Sequence, residues 1–100
     1  MTEAIEITTF KLAGCSSADF IAANVEIDDW LKLQPGFQSR RMAERDDGTI
    51  VDMLIWDTAA DGSAAMSRLM DEMGESVVHG MIDQRTVSWS IAPVLHQMRP

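Results

Sequence analysis

The residues of this chain with chemistry to offer are two histidines, one cysteine, three tryptophans, a cluster of arginines and eight methionines. His79 sits in an apolar stretch, Val77-Val78-His79-Gly80-Met81. Imidazole is the side chain that changes charge nearest neutral pH, so His79 is read either as a base or axial ligand at a pocket mouth, or as a half-buried histidine bonded to a backbone carbonyl. His96, in the tail, is read as a surface residue. Asn24 falls in an apolar helical stripe, where a buried amide without partners would cost a few kcal/mol, roughly 2 or more. It therefore either orients a ligand carbonyl or bound dioxygen, or bonds a residue of a neighbouring strand. Trp30, Trp56 and Trp89 each offer a flat apolar face and one N–H donor, suited to an aromatic ligand or to a core or subunit interface. Arg40, Arg41 and Arg45 make one strand locally positive, but neighbouring strand residues face opposite ways, so Arg40 and Arg41 cannot share a face. One of them either meets a carboxylate ligand or pairs with Asp52 or Glu44. Cys15 precedes a helix start, a setting in which thiols are reactive, but no second cysteine is present to pair with it. Met66, Met70, Met73 and Met81 either fill irregular core space or form a deformable pocket roof. No nucleotide-binding loop, CxxC, HExxH or nucleophile elbow occurs.

Composition narrows the partners these residues can serve. One hundred residues, 46% apolar and 24% charged, suit one domain. Eight Lys and Arg against sixteen Asp and Glu give a net charge of −8, which opposes binding to a nucleic-acid backbone or an anionic membrane surface. The apolar runs fall far short of the ~20 residues that a membrane-spanning helix needs. The opening MTEAIEITTF lacks the basic then apolar pattern of a signal peptide, so a cytoplasmic location is expected. A lone cysteine suits a reducing compartment and excludes both an internal disulfide and a cysteine-based zinc site. No cofactor is expected.

The elements that must position these side chains follow from periodicity. Glu3 to Leu12 alternates Ile5 and Ile7 with Glu6 and Thr8, then shifts its apolar weight to Phe10 and Leu12, which predicts a strand with apolar groups on both faces. Ser16, with Asp19 three residues on, starts a helix running from about Ser17 to Leu33, with Phe20, Ala23, Ile27, Trp30 and Leu31 on one face. Gln34-Pro35-Gly36 stops it, and Phe37 opens a charged edge strand to about Arg45. Asp47-Gly48 predicts a hairpin into Ile50 to Trp56, the most apolar strand and therefore central. Asp57-Thr58 caps a second helix with the stripe Ala65, Met66, Leu69, Met70 and Met73, and Gly74 is expected as its left-handed cap. Glu75 to Ile82 is expected to make a helical turn or two, and Val87, Trp89 and Ile91 mark a last strand ended by Pro93.

The resulting order, β-α-β-β-α-β, is the ferredoxin-like plan of an α+β fold: a four-stranded antiparallel sheet with two helices on one face. The other sheet face is left open, yet Val51, Met53 and Ile55 lie on one side of the third strand and Leu54 and Trp56 on the other. Soluble monomers seldom expose such a patch, so a homodimer packed through the open sheet faces is expected.

Gln34-Pro35-Gly36-Phe37 after the first helix, the Asp47-Gly48 hairpin, Trp56 closing the third strand and the alanine-containing start of the second helix together resemble the dimeric α/β-barrel superfamily, in particular the antibiotic biosynthesis monooxygenase-like proteins. The resemblance runs from about Ile5 to Val94 and implies a ligand pocket between sheet and helices. It implies one of several activities: cofactor-free oxygenation of aromatic polyketide-type substrates, oxidative haem breakdown, or a small-ligand role without chemistry. The haem-degrading branch carries an Asn on the first strand, a Trp on the second helix and a His soon after it. Here Thr8 stands near the first position, the second helix has no Trp, and His79 alone fits. The polyketide-oxygenating branch relies on tyrosine, and this chain has none.

The expectation is therefore a homodimer that binds a small hydrophobic or aromatic molecule between sheet and helices, with oxidation of the cofactor-independent monooxygenase kind if it is an enzyme. His79 and Asn24 are the candidate catalytic residues, and Thr8, Trp56, Met66 and Met70 the candidate ligand contacts. The rivals are a non-catalytic association module whose pocket is collapsed by Met and Trp packing, and a haem-binding or haem-degrading protein.

Overall fold

Period-two and period-3.6 patterns become seven regular elements in the computed structural model, which describes residues 2–100. They are β1 (Ala4–Leu12), α1 (Ser17–Ala23), α2 (Val25–Leu31), β2 (Phe37–Glu44), β3 (Ile50–Trp56), α3 (Ala59–Glu72) and β4 (Ile82–Pro93), with a 3-10 turn at Val77–Met81 before the last strand. The sheet order is β2-β3-β1-β4 and every pairing is antiparallel, so β3 is interior and the arginine-bearing β2 is an edge, as predicted. The helices cover one face, completing the ferredoxin-like α+β fold.

Local chemistry sets the boundaries. The Ser16 and Thr58 hydroxyls each accept the backbone N–H three residues on, from Asp19 and Asp61 at 3.1 Å, which starts α1 and α3. Gly36 adopts φ 81° in the reversal after the first helical region, and Gly48 adopts φ 84° in the hairpin, conformations that favour glycine.

Two sequence expectations need correction. The first helix does not run unbroken to Leu33: it ends at Leu31 and is interrupted at Asn24. The Asn24 side-chain amide donates to the Phe20 carbonyl at 2.9 Å, while the Asn24 backbone N–H divides itself between the Phe20 and Ile21 carbonyls at 3.1 Å each. Back-bonding of this kind loosens a helical turn, and ψ at Asn24 flattens to −2°. Gly74 is not a left-handed cap, because the residue ending α3 is Met73 and Gly74 has no positive φ. Glycine is required there for closeness instead: a Cβ would lie 2.5 Å from the Met70 carbonyl oxygen.

Strand register decides which side chains meet. On β1, Glu6 pairs with Leu54 and Ile91, and Thr8 with Asp52 and Trp89, so these residues share the face under the helices. Arg40 and Met42 join them from β2 opposite Leu54 and Asp52. Ile5, Ile7, Val51, Met53 and Ile55 lie on the open face. The core sits between sheet and helices, with the Phe10 and Phe20 rings edge to face at 5.4 Å and Phe37 against Trp56 at 5.5 Å. The β1–β4 register slips after Thr9, from Thr9–Ser88 to Lys11–Asp83. The extra length of β4 bows out, and the Thr86 hydroxyl accepts the N–H of Lys11 at 2.8 Å. Bulges of this kind often re-aim side chains beside a site, and here Gln84 and Val87 reach the space under the helices.

Candidate functional site

Between the sheet and the helices lies a cavity of about 360 Å³, within the range of small-molecule sites. Phe10, Phe20, Ile27, Leu54 and Leu69 give it apolar walls. His79, Asn24, Thr8, Trp56, Met66 and Met70, the six residues singled out from the sequence, all line it. The methionines of α3 surround space instead of filling it, with Met70 at the exposed edge.

The floor is polar. Glu6, 2% exposed, accepts two indole N–H bonds: Trp56 Nε1 donates to Oε1 and Trp89 Nε1 to Oε2, both at 2.8 Å. Burial pushes the Glu6 carboxyl above the usual carboxylate range; the two indole bonds work against that shift, and neighbouring Asp52 adds to it. Beside it, Arg40 forms a two-pronged pair with Asp52, Nε to Oδ1 at 3.0 Å and Nη2 to Oδ2 at 2.8 Å. Its Nη1 donates to Asp28 Oδ1 and its Nη2 to Asn24 Oδ1, both at 2.9 Å. One buried guanidinium thus ties β2 to β3 and to the break between α1 and α2. Its pairing with Asp52 and Asp28 holds it charged despite burial.

This geometry assigns work to several candidates. The side chain of Asn24 accepts from Arg40 on β2 through Oδ1 and donates to the Phe20 carbonyl through Nδ2, the reading in which it bonds a strand residue. Arg40 pairs with Asp52, the cross-strand reading, and has no fork left for a carboxylate ligand. His79 Nε2 donates to the Met73 carbonyl at 2.9 Å, the backbone-bonded reading, with the ring at the cavity wall. Trp30 ties α2 to α3 through Glu72 Oε1 at 3.2 Å while facing the cavity. The Cys15 thiol rests on the Met81 carbonyl at 3.7 Å. A haem fits these residues poorly. The Nε2 of His79 is taken by the Met73 carbonyl, and the one Lys or Arg among the described residues lining the cavity, Arg40, is already paired with Asp52 and Asp28.

Glu6 is the residue that sequence reasoning missed. Alternation with Ile5 and Ile7 marks it only as the polar half of a strand. The signal was present in Phe10, which has the same parity as Glu6 and had to face the core. Asp52 carried a similar signal, as the lone acid in IVDMLIW.

No protein-family model and no curated protein matches the sequence. Solved structures do match over nearly the whole chain. The cofactor-independent oxygenase SnoaB of Streptomyces nogalater superposes with a TM-score of 0.77 at 16% identity, covering 100% of this chain and 99% of that one. A candidate antibiotic biosynthesis monooxygenase of Nitrosomonas europaea gives 0.73 at 13% identity, over 95% and 92%. The monooxygenase ActVA-Orf6 of Streptomyces coelicolor, solved with nanaomycin D, gives 0.67 at 14% identity, over 99% and 93%. This chain therefore shares the ferredoxin-like fold of these antibiotic biosynthesis monooxygenase-like structures.

Proposed function

We propose that this protein is a homodimer that binds a small hydrophobic or aromatic molecule in the cavity beneath its helices and oxidises it with dioxygen, without a cofactor. The observation that carries the reading is an open cavity of about 360 Å³ with apolar walls and two buried carboxylates on its floor, of which Asp52 alone is paired with a cation. An association module with a collapsed pocket has no use for that space. The fold shared with a cofactor-independent oxygenase adds support. In such a reaction the substrate itself supplies the electrons. An activated ring CH₂ loses two hydrogens and gains one oxygen atom of O₂ as C=O, and the other oxygen atom leaves as water. The apolar walls and the indoles of Trp56 and Trp89 hold the flat ring and exclude water, and Met66 and Met70 adapt to its outline. His79 and Thr8 meet its edges, and Asn24 acts by fixing Arg40 at the helix break.

The second copy is placed on the open sheet face. Ile5, Ile7, Val51, Met53 and Ile55 form its apolar centre, Ile7 being 37% exposed in the single chain, and Ser39, Arg41, Ser88 and Ser90 form its rim. An apolar centre with a polar rim is how a subunit interface is built, and two-fold packing lets one such face close another. No helix among the described residues is long and apolar enough to cross a membrane. The acidic balance and lone cysteine support a cytoplasmic setting.

The test is oxygen uptake with a panel of reduced aromatic polyphenols, alongside quenching of tryptophan emission. The expected result is saturable quenching and, for panel members with an activated ring CH₂, one O₂ consumed per quinone formed with water and no hydrogen peroxide as the co-product. Quenching without uptake across the panel leaves a binding protein, and neither response returns the association module.

A further inference from the structure

We propose that Glu6 is the proton acceptor of this cavity and that it makes the cavity select uncharged ligands over anions, an inference that rests on the ligand-binding reading above. Two carboxylates line the cavity, and their partners differ in kind. Asp52 spends both oxygens on the fork of Arg40, a cation that keeps it ionised and engaged. Glu6 has no cation. Each of its oxygens takes one neutral indole N–H and keeps a further lone pair, since a carboxylate has about four acceptor sites. The two indoles, from β3 and β4, grip Glu6 from both sides and fix its carboxylate plane at the base of an apolar cavity, the preorganised setting in which a base acts. Arg40 offers little counter-charge to a ligand, because it stands between the carboxylates of Asp52 and Asp28 and four of its five N–H groups already serve Asp52, Asp28 and Asn24. A carboxylate ligand would therefore meet two carboxylates and no free cation.

The step is a single proton transfer. A hydroxyl O–H of the ligand breaks, its electron pair stays on the ligand oxygen, and the proton joins an Oε of Glu6. The ligand becomes an electron-rich anion, Glu6 becomes neutral, and the net charge of the cavity is unchanged. That anion is the species able to give electrons to dioxygen.

The test compares naphthalene, 2-naphthol and 2-naphthoate, which share one ring system and differ in the group presented to Glu6. On the wild-type protein, tryptophan quenching is expected to rank 2-naphthol about 10-fold or more tighter than naphthalene, the worth of a hydrogen bond to a charged acceptor, with 2-naphthoate weakest. 2-Naphthol is a strong acid in its excited state, so bound beside a carboxylate it emits from the long-wavelength naphtholate band. In Glu6→Gln it is expected to emit from the short-wavelength naphthol band. The role of Glu6 is overturned if naphthalene binds as tightly as 2-naphthol, if 2-naphthoate binds best, or if a folded Glu6→Gln leaves the naphtholate band unchanged. Wild-type ranking needs no variant, so it decides the matter even if Glu6→Gln does not fold. Should none of the three probes bind, the ligand-binding reading itself falls. Naphthalene binding without any preference for 2-naphthol keeps that reading and removes only Glu6.

Discussion

The two faces of the sheet carry opposite chemistry from what solvent exposure alone would suggest. On the covered face β1 places Glu6, β3 places Asp52 and β2 places Arg40, all under the helices. On the uncovered face the same strands place Ile5, Ile7, Met53 and Ile55. Charges are held inside by specific partners, while the apolar side chains outside pair along the sheet, Ile5 with Ile55 and Ile7 with Met53, and have no helix of the described residues over them. A buried charge needs a partner or it shifts toward neutrality, so the covered face is specific and costly to disturb. The open face is non-directional, and any matching apolar surface covers it. The first arrangement suits a site and the second suits a subunit contact.

The sharpest way to break the covered face is to remove its cation. Arg40→Met leaves Asp52 buried and unpaired, and loss of one partner of a buried pair costs roughly 3–5 kcal/mol. Urea denaturation is expected to show that loss, and adding Asp52→Leu to recover most of it. If Arg40→Met alone is neutral, the ion pair does not hold β2 to the helix break.

The open face is broken by charge. Met53→Asp sets like charges near one another across a two-fold contact, a cost of several kcal/mol, about 3, or a hundredfold or more in dimer affinity. Sedimentation velocity is expected to show a folded 11.1 kDa species for this variant and a dimer for wild type. A wild-type monomer at micromolar concentration ends the dimer reading.

A smaller effect is expected where α3 meets the covered face. A Cβ on Gly62 would lie 2.4 Å from Ile91 Cδ1 and 2.9 Å from Trp56 Cδ1. Although alanine favours helices, Gly62→Ala is expected to destabilise by about 1–3 kcal/mol through overpacking. Thermal melting measures it, and an increase in Tm would mean that Trp56 yields easily.

The subtlest contrast concerns pH. Burial raises the Glu6 carboxyl above its ordinary value of 4.5, so the folded state holds its proton more tightly than the unfolded state does. The stability it contributes is present below about pH 4.5 and is lost as pH rises through the raised folded value. Glu6→Gln, which does not titrate, is expected to gain on wild type across that interval in parallel melts. A difference that is flat with pH would mean Glu6 titrates normally.

The strands, the interior place of β3, the caps at Ser16 and Thr58 and the Gly48 hairpin were all legible in the sequence, because each depends on a residue and its near neighbours. The break at Asn24 was not. It needs a side-chain bond to Phe20 and the pull of Arg40 from a strand that comes later in the chain. Asp52 as a partner of Arg40 was legible, since an acid inside an apolar strand must find a cation. Glu6 was hidden by alternation itself, which gives two faces and does not say which is inside.

The sequence by itself determined the order of elements and the doubly apolar sheet, since these follow from periodicity and local capping, and its family resemblance pointed to six residues that line one cavity. Only the tertiary structure decided that this cavity stays open, that Arg40 is closed within its own network and that Glu6 lies beneath two indoles. Those facts depend on strand register: a shift of one residue would turn Glu6 out and Ile5 and Ile7 in, with the composition of the strand unchanged.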